Sequence, residues 1–135
     1  MSQMLTAAGM NVVEVMVISD NAQAIDNSLR RALSLSDAVL ITGGLGPTKD
    51  DITKHTLAAF FNSELYENEE ALDNIRRIFE SRGYPLTEVN RQQSWVPRCC
   101  TMINNRLGTA PCMWFNTPEG KVVVSMPGVP FEMVD

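Results

Sequence analysis

In the stretch Leu40-Ile41-Thr42-Gly43-Gly44-Leu45-Gly46-Pro47-Thr48-Lys49-Asp50-Asp51-Ile52-Thr53, an apolar run passes through glycines into a helical pattern. The run that leads in, Ala38-Val39-Leu40-Ile41, is short and partly β-branched, as expected of a buried strand. Gly43, Gly44 and Gly46 follow. Glycine lets the backbone turn sharply and lets a ligand come close to its N–H groups. Pro47 stiffens the turn, Thr48, Asp50 and Asp51 are good N-cap residues, and a helix is expected from Ile52. Strand, glycine loop and helix N-terminus, in that order, form a junction suited to an anion.

The spacing is neither a P-loop nor a dinucleotide fingerprint: the Gly-Lys-Ser/Thr ending and the G-x-G-x-x-G pattern are both lacking. Taken alone, the glycines fit a tight turn and the aspartates a helix cap equally well. The acidic pair directly after the glycines adds to this. Carboxylates repel a phosphate unless a cation lies between them, and Mg²⁺ takes one or two carboxylates together with phosphate oxygens and water. The stretch therefore suggests a phosphate ester or anhydride held by backbone amides and bridged by a metal.

Working outward, the 135 residues fit one domain with one core. A hydrophobic share of 44% and a charged share of 20% are ordinary for a soluble globular chain. The net charge of -5 argues against a nucleic-acid surface, which needs clustered Lys and Arg. No apolar run reaches the ~18 residues of a membrane span. The N-terminus lacks the basic region and apolar core of a secretory signal. Cys99, Cys100 and Cys112 make a poor disulfide framework and suit a reducing cytoplasm.

Before the glycine loop, Met1, Met4, Leu5 and Ala8 have helical spacing and Gly9 is placed as a stop. Residues 11–18 read as a strand. Asn21 starts a helix with the core stripe Ile25, Leu29 and Leu33, ended by Ser36-Asp37. A helix that feeds a parallel strand normally follows an earlier strand, so the chain is expected to begin inside a βα unit. Asp20 reads as a strand-end turn residue.

After the loop, Leu57, Phe60 and Phe61 are the core residues of a helix over 52–61, and His55 has no neighbour in sequence that would make it a base. A helix over 69–82 buries Leu72, Ile75 and Phe79, pairs Asp73 with Arg77, and stops at Gly83. Residues 87–94 read as helical with Thr87 as cap and Gln92 and Gln93 on an exposed polar face. Residues 99–103 read as a strand, and 104–111 as a turn-rich connection. Strands over 112–115 and 121–126 form a hairpin about a turn at 117–120. Pro127-Gly128-Val129-Pro130 breaks the chain, and Phe131 opens a helix in which the chain stops.

The motif Thr42-Gly43-Gly44-Leu45-Gly46-Pro47-Thr48-Lys49-Asp50-Asp51-Ile52-Thr53 resembles the signature of the CinA (competence/damage-inducible) family. Further matches are Asn68-Glu69-Glu70, Asn90-Arg91-Gln92-Gln93, Gly108-Thr109-Ala110-Pro111 and Met126-Pro127-Gly128-Val129-Pro130-Phe131-Glu132-Met133. The N-terminal domain of that family is similar to the molybdopterin-binding fold of MoaB, MogA and gephyrin. The resemblance implies an opening strand and a Gly-Thr/Asp-Glu-Leu-Leu segment that this sequence lacks, so residues 1–135 are expected to be a single domain truncated at both ends.

The order of elements implies an α/β fold, a three-layer sandwich with a mainly parallel sheet and an antiparallel hairpin, MoaB/MogA-like. Ligands in such sheets collect at the carboxyl ends of strands. Gly43, Gly44, Gly46, Thr48, Gly108, Thr109, Pro127 and Gly128 are the expected ligand-binding residues, and Asp50 and Asp51 the catalytic, metal-holding pair. The resemblance implies a metal-dependent ADP-ribose pyrophosphatase using Mg²⁺ or another divalent cation. The alternatives are a non-catalytic pterin- or nucleotide-binding module and an oligomerisation module. The expected partners are a small phosphorylated ligand (ADP-ribose-like or pterin) and further copies of the chain in a dimer or trimer, with no nucleic acid and no membrane.

Overall fold

The computed structural model describes residues 1–46 and 52–128. Helix α1 (Ser2–Ala7) ends ahead of Gly9, whose φ of +84° is a backbone state that glycine reaches without strain. Helix α2 (Ala22–Leu35) begins at Asn21, whose Oδ1 accepts the Ala24 N–H at 2.8 Å. That bond satisfies one orphan donor of the first turn. Ile25 and Leu29 of its stripe are buried, and Leu33 packs against the same core.

Strand β1 (Ala38–Thr42) leads into the glycine loop, and helix α3 (Thr53–Phe60) leaves it. Strand β2 (Leu65–Glu67) is followed by helix α4 (Glu69–Ser81). Asn68 caps α4 by accepting the Ala71 N–H at 3.0 Å. The short helix α5 (Glu88–Arg91) runs into a 3₁₀ turn, Gln92–Ser94. Strand β3 (Trp95–Pro97) pairs antiparallel with β2, a small sheet for which residues 95–97 give little signal. Strands β4 (Thr101–Ile103), β5 (Cys112–Asn116) and β6 (Val122–Met126) are the last of the described elements.

The main sheet has the order β1-β6-β5-β4. β1 and β6 are parallel, with Thr42 opposite Met126, while β6, β5 and β4 form an antiparallel meander. Side chains alternate across a strand. Met113, Phe115 and Val123 turn inward with Val39, Ile41 and Met102 onto a core that includes Leu29 of α2 and Leu57 of α3. Phe61, just past α3, stacks on Phe115 with centroids 4.5 Å apart. The mixed α/β architecture agrees with the expected fold class. Among the described residues, however, the main sheet has one parallel pair and two antiparallel pairs in place of the expected mainly parallel sheet, because the hairpin and β4 extend it antiparallel.

Several local expectations change. Residues 11–18 form no strand; Val13 and Val15 are exposed and Val17 is fully exposed. A strand needs a neighbour for its N–H and C=O groups, and among the described residues none pairs with this segment. Among the described residues its side-chain tie is Glu14, which accepts from Arg31 of α2 at 3.0 Å. β1 is half-buried on one side, through Val39 and Ile41, and open on the other, where Leu40 is 36% exposed. Arg77 does not reach Asp73: it donates to Asn74, and Asp73 pairs with Arg76 at 3.6 Å. Gln93 is buried instead of lying on a polar face, because the tight 3₁₀ turn rolls it inward.

Candidate functional site

Strand directions bring three loops to one end of the main sheet. β1 ends at Thr42 beside Met126, the last residue of β6. β5 runs opposite to β6, with Met113 against Ser125, so its first residue, Cys112, lies at that same end. The loop after β1, the loop before β5 and the loop after β6 therefore converge, as the carboxyl ends of strands in an open α/β sheet do at ligand sites.

Glycines lie where two of these loops approach each other. The Gly43 N–H donates to Met126 O at 3.1 Å, which prolongs the β1–β6 ladder by one residue. A Cβ on Gly128 would sit 3.0 Å from Gly43 Cα. The two loops approach closely, so a side chain on Gly128 would press on the Gly43 backbone, which would have to give by a few tenths of an ångström. Gly44 adopts φ +68°, and a Cβ there would lie 2.0 Å from Thr53 Oγ1. The close pass of Gly44 under Thr53 fixes the loop against the first residue of α3.

Of the expected ligand residues, Gly43, Gly44, Gly46, Gly108, Thr109, Pro127 and Gly128 lie in these three loops. Gly43 is there through its backbone, but its N–H is already committed to β6. Gly108 and Pro127 are buried, while Thr109 is half-buried. Thr48, Asp50 and Asp51 lie outside the described residues. Among the described residues no three His, Cys, Asp or Glu side chains come together as a metal site. His55 is exposed on α3.

Two features have no counterpart in the sequence reading. Lys54, the second residue of α3, is buried, and its Nζ donates to Gln92 O at 3.0 Å. Burial disfavours its charged form and pushes its pKa down from 10.5 to about 8. A lysine in a first helical turn looks like a solvated residue, and its partner here, the Gln92 carbonyl, lies 38 residues further along the chain. The second is Asn74, buried on α4 with both amide hydrogens directed at the loop before β5. A polar residue amid Leu72, Ile75 and Ile78 is the signal that could have singled it out. Among the described residues no helix is long and apolar enough to cross a membrane.

Residues 1–135 match a family described as a probable molybdopterin binding domain. The chain is 47% identical over 116 residues to a CinA-like protein of Cytophaga hutchinsonii, an alignment covering 86% of this chain and 28% of that protein. It is similar in structure to the protein CinA from Thermoplasma acidophilum, with 36% identity and a TM-score of 0.84 over 98% of this chain and 77% of that one. Molybdenum cofactor biosynthesis protein B shares the fold at a TM-score of 0.58 and 21% identity, over 98% of this chain and 69% of that one. The chain thus spans less than a third of the length of the curated relative.

Proposed function

We propose, from the premise that this chain belongs to the family of probable molybdopterin binding domains, that it binds a small phosphorylated ligand where its three loops meet and hydrolyses a nucleotide diphosphate there. The observation that carries this reading is the backbone contact of Gly43 with Gly128 at the shared ends of β1 and β6. Backbone packed this closely, with no intervening side chains, leaves neighbouring amides open to phosphate oxygens.

In this reading the ligand is ADP-ribose or a close relative, and the reaction adds water across the diphosphate to give AMP and ribose 5-phosphate. Gly44, Gly46 and Thr48 hold one phosphate, and Gly108 and Thr109 the other. Asp50 and Asp51 are suited to hold Mg²⁺, which takes one or two carboxylates and completes its shell with phosphate oxygens and water. Bound there, the cation would supply charge stabilisation on the diphosphate. The carboxylates also keep the loop from binding phosphate in the cation's absence. Self-association and a cytoplasmic location belong to the same proposal.

Calorimetry of ADP-ribose binding with Mg²⁺ and with EDTA, together with a chromatographic assay for AMP, tests the reading. Binding is expected with the metal and not without it, and Asp50→Asn or Asp51→Asn is expected to abolish AMP release. Equal binding in EDTA would remove the metal bridge. Binding with no AMP released under several divalent cations would leave a non-catalytic binding module.

A further inference from the structure

We propose that Asn74 is a positioning residue: from α4 it sets the conformation of the loop before β5 and turns the Thr109 N–H toward the ligand. This rests on the proposed function for the identity of the ligand, but the loop geometry stands independently of it. Asn74 is 6% exposed. Its Nδ2 donates to Asn105 O at 2.7 Å and to Gly108 O at 3.3 Å. Its Oδ1 accepts from Arg77 Nη2 at 2.6 Å. The guanidinium can only donate, so it holds the amide in the orientation that presents both hydrogens to the loop.

A second buried amide continues the network. Asn105, 5% exposed, donates from Nδ2 to Ala110 O at 3.0 Å and accepts the Leu107 N–H on Oδ1, also at 3.0 Å. Residues 104–111 contain no helix or strand, so these side chains replace the backbone ladder that would otherwise order them. Fixing Gly108 O toward α4 has a geometric result. In a planar trans peptide the C=O and the following N–H point in opposite directions. The Thr109 N–H therefore points away from α4, and among the described residues no hydrogen bond uses it.

No residue of similar size substitutes for Asn74. An aspartate has no hydrogens for the two carbonyls, and a leucine leaves both carbonyls and the Arg77 guanidinium unpaired. The network predicts a local effect, since β5 and β6 are held by their own ladders.

The experiment compares wild type, Asn74→Asp and the milder Arg77→Gln, which removes only the lock on the amide. Amide hydrogen exchange is read across residues 105–111 and across β5 and β6, and ADP-ribose affinity is measured by calorimetry with Mg²⁺. We expect exchange in 105–111 to accelerate at least about tenfold in Asn74→Asp, with β5 and β6 unchanged. ADP-ribose affinity should fall about tenfold, with smaller shifts in the same directions for Arg77→Gln. A purely stabilising role would lower the melting temperature and leave the affinity of folded protein as in wild type; that result overturns the inference. So does unchanged exchange in 105–111 in both variants. Loss of loop protection alongside a wild type that binds no ADP-ribose would overturn the proposed function and support the loop-holding role of Asn74.

Discussion

Gly44 shows how one residue can constrain a whole junction. Its φ of +68° disfavours any side chain, and the position of a Cβ is already taken by Thr53 Oγ1, 2.0 Å away, with Thr53 Cβ at 2.8 Å. Thr53 is buried on the first turn of α3, and turning its hydroxyl aside would still leave its Cβ in the way. Gly44→Ala is therefore expected to destabilise the fold by at least about 2 kcal/mol, combining left-handed strain with the clash. Urea unfolding monitored by circular dichroism measures this. Gly43→Ala is a useful contrast, because a Cβ there meets nothing within 4 Å and only the φ of +95° opposes it. A Gly44→Ala variant as stable as Gly43→Ala would mean that Thr53 does not hold the loop.

At the scale of elements, α3 is tied to the 3₁₀ turn by a buried cation. Lys54 gives one hydrogen bond to Gln92 O, and its pKa lies near 8 in the folded chain against 10.5 when free. Between those two values the unfolded state binds more protons than the folded one, so stability rises with pH across that window. Below about pH 8 the folded chain bears the full cost of burying the charge. The difference corresponds to a rise on the order of 3 kcal/mol from pH 8 to 10.5. Denaturant midpoints of wild type and Lys54→Met across this range test it: the rise is expected in the wild type and absent from the variant. A variant with the same slope would place the titration elsewhere.

For the whole molecule, the main sheet is covered by α2 and α3 on one face only among the described residues. The other face carries a row in which Leu40, Val124 and Trp114 stand side by side across β1, β6 and β5. Leu40 is 36% exposed, Trp114 38% and, on β4, Ile103 43%. An exposed apolar row of this kind is where association is expected. The chain is expected to form a dimer or trimer, and Trp114→Glu to shift it toward monomer, as read by light scattering. A single 15.0 kDa species at micromolar concentration would rule this out.

Each feature legible in the linear sequence depends on neighbours a few residues apart. Asn21 and Thr87 cap helices because each side chain reaches an amide three residues on. The stripes of α2 and α4, the hairpin of β5 and β6 and the glycine loop are local in the same sense. The common location of Gly43, Gly108 and Gly128 was legible only as a rule about strand ends, and their packing was not. Tertiary structure settled what depends on partners far along the chain. Residues 11–18 are rich in β-branched residues as a strand is, yet with no paired neighbour among the described residues Val13, Val15 and Val17 stay in water. Gln93 reads as a surface residue and Lys54 carries no signal in sequence, yet both are buried, Gln93 where the 3₁₀ turn packs on α4 and Lys54 with its ammonium on the Gln92 carbonyl. Asn74 and Asn105 meet across 31 residues, a distance over which no periodicity in the sequence can place one amide against another. Hydrogen-bond capping and helical or strand periods are short-range effects encoded in composition and spacing, whereas burial and pairing are properties of the assembled sheet.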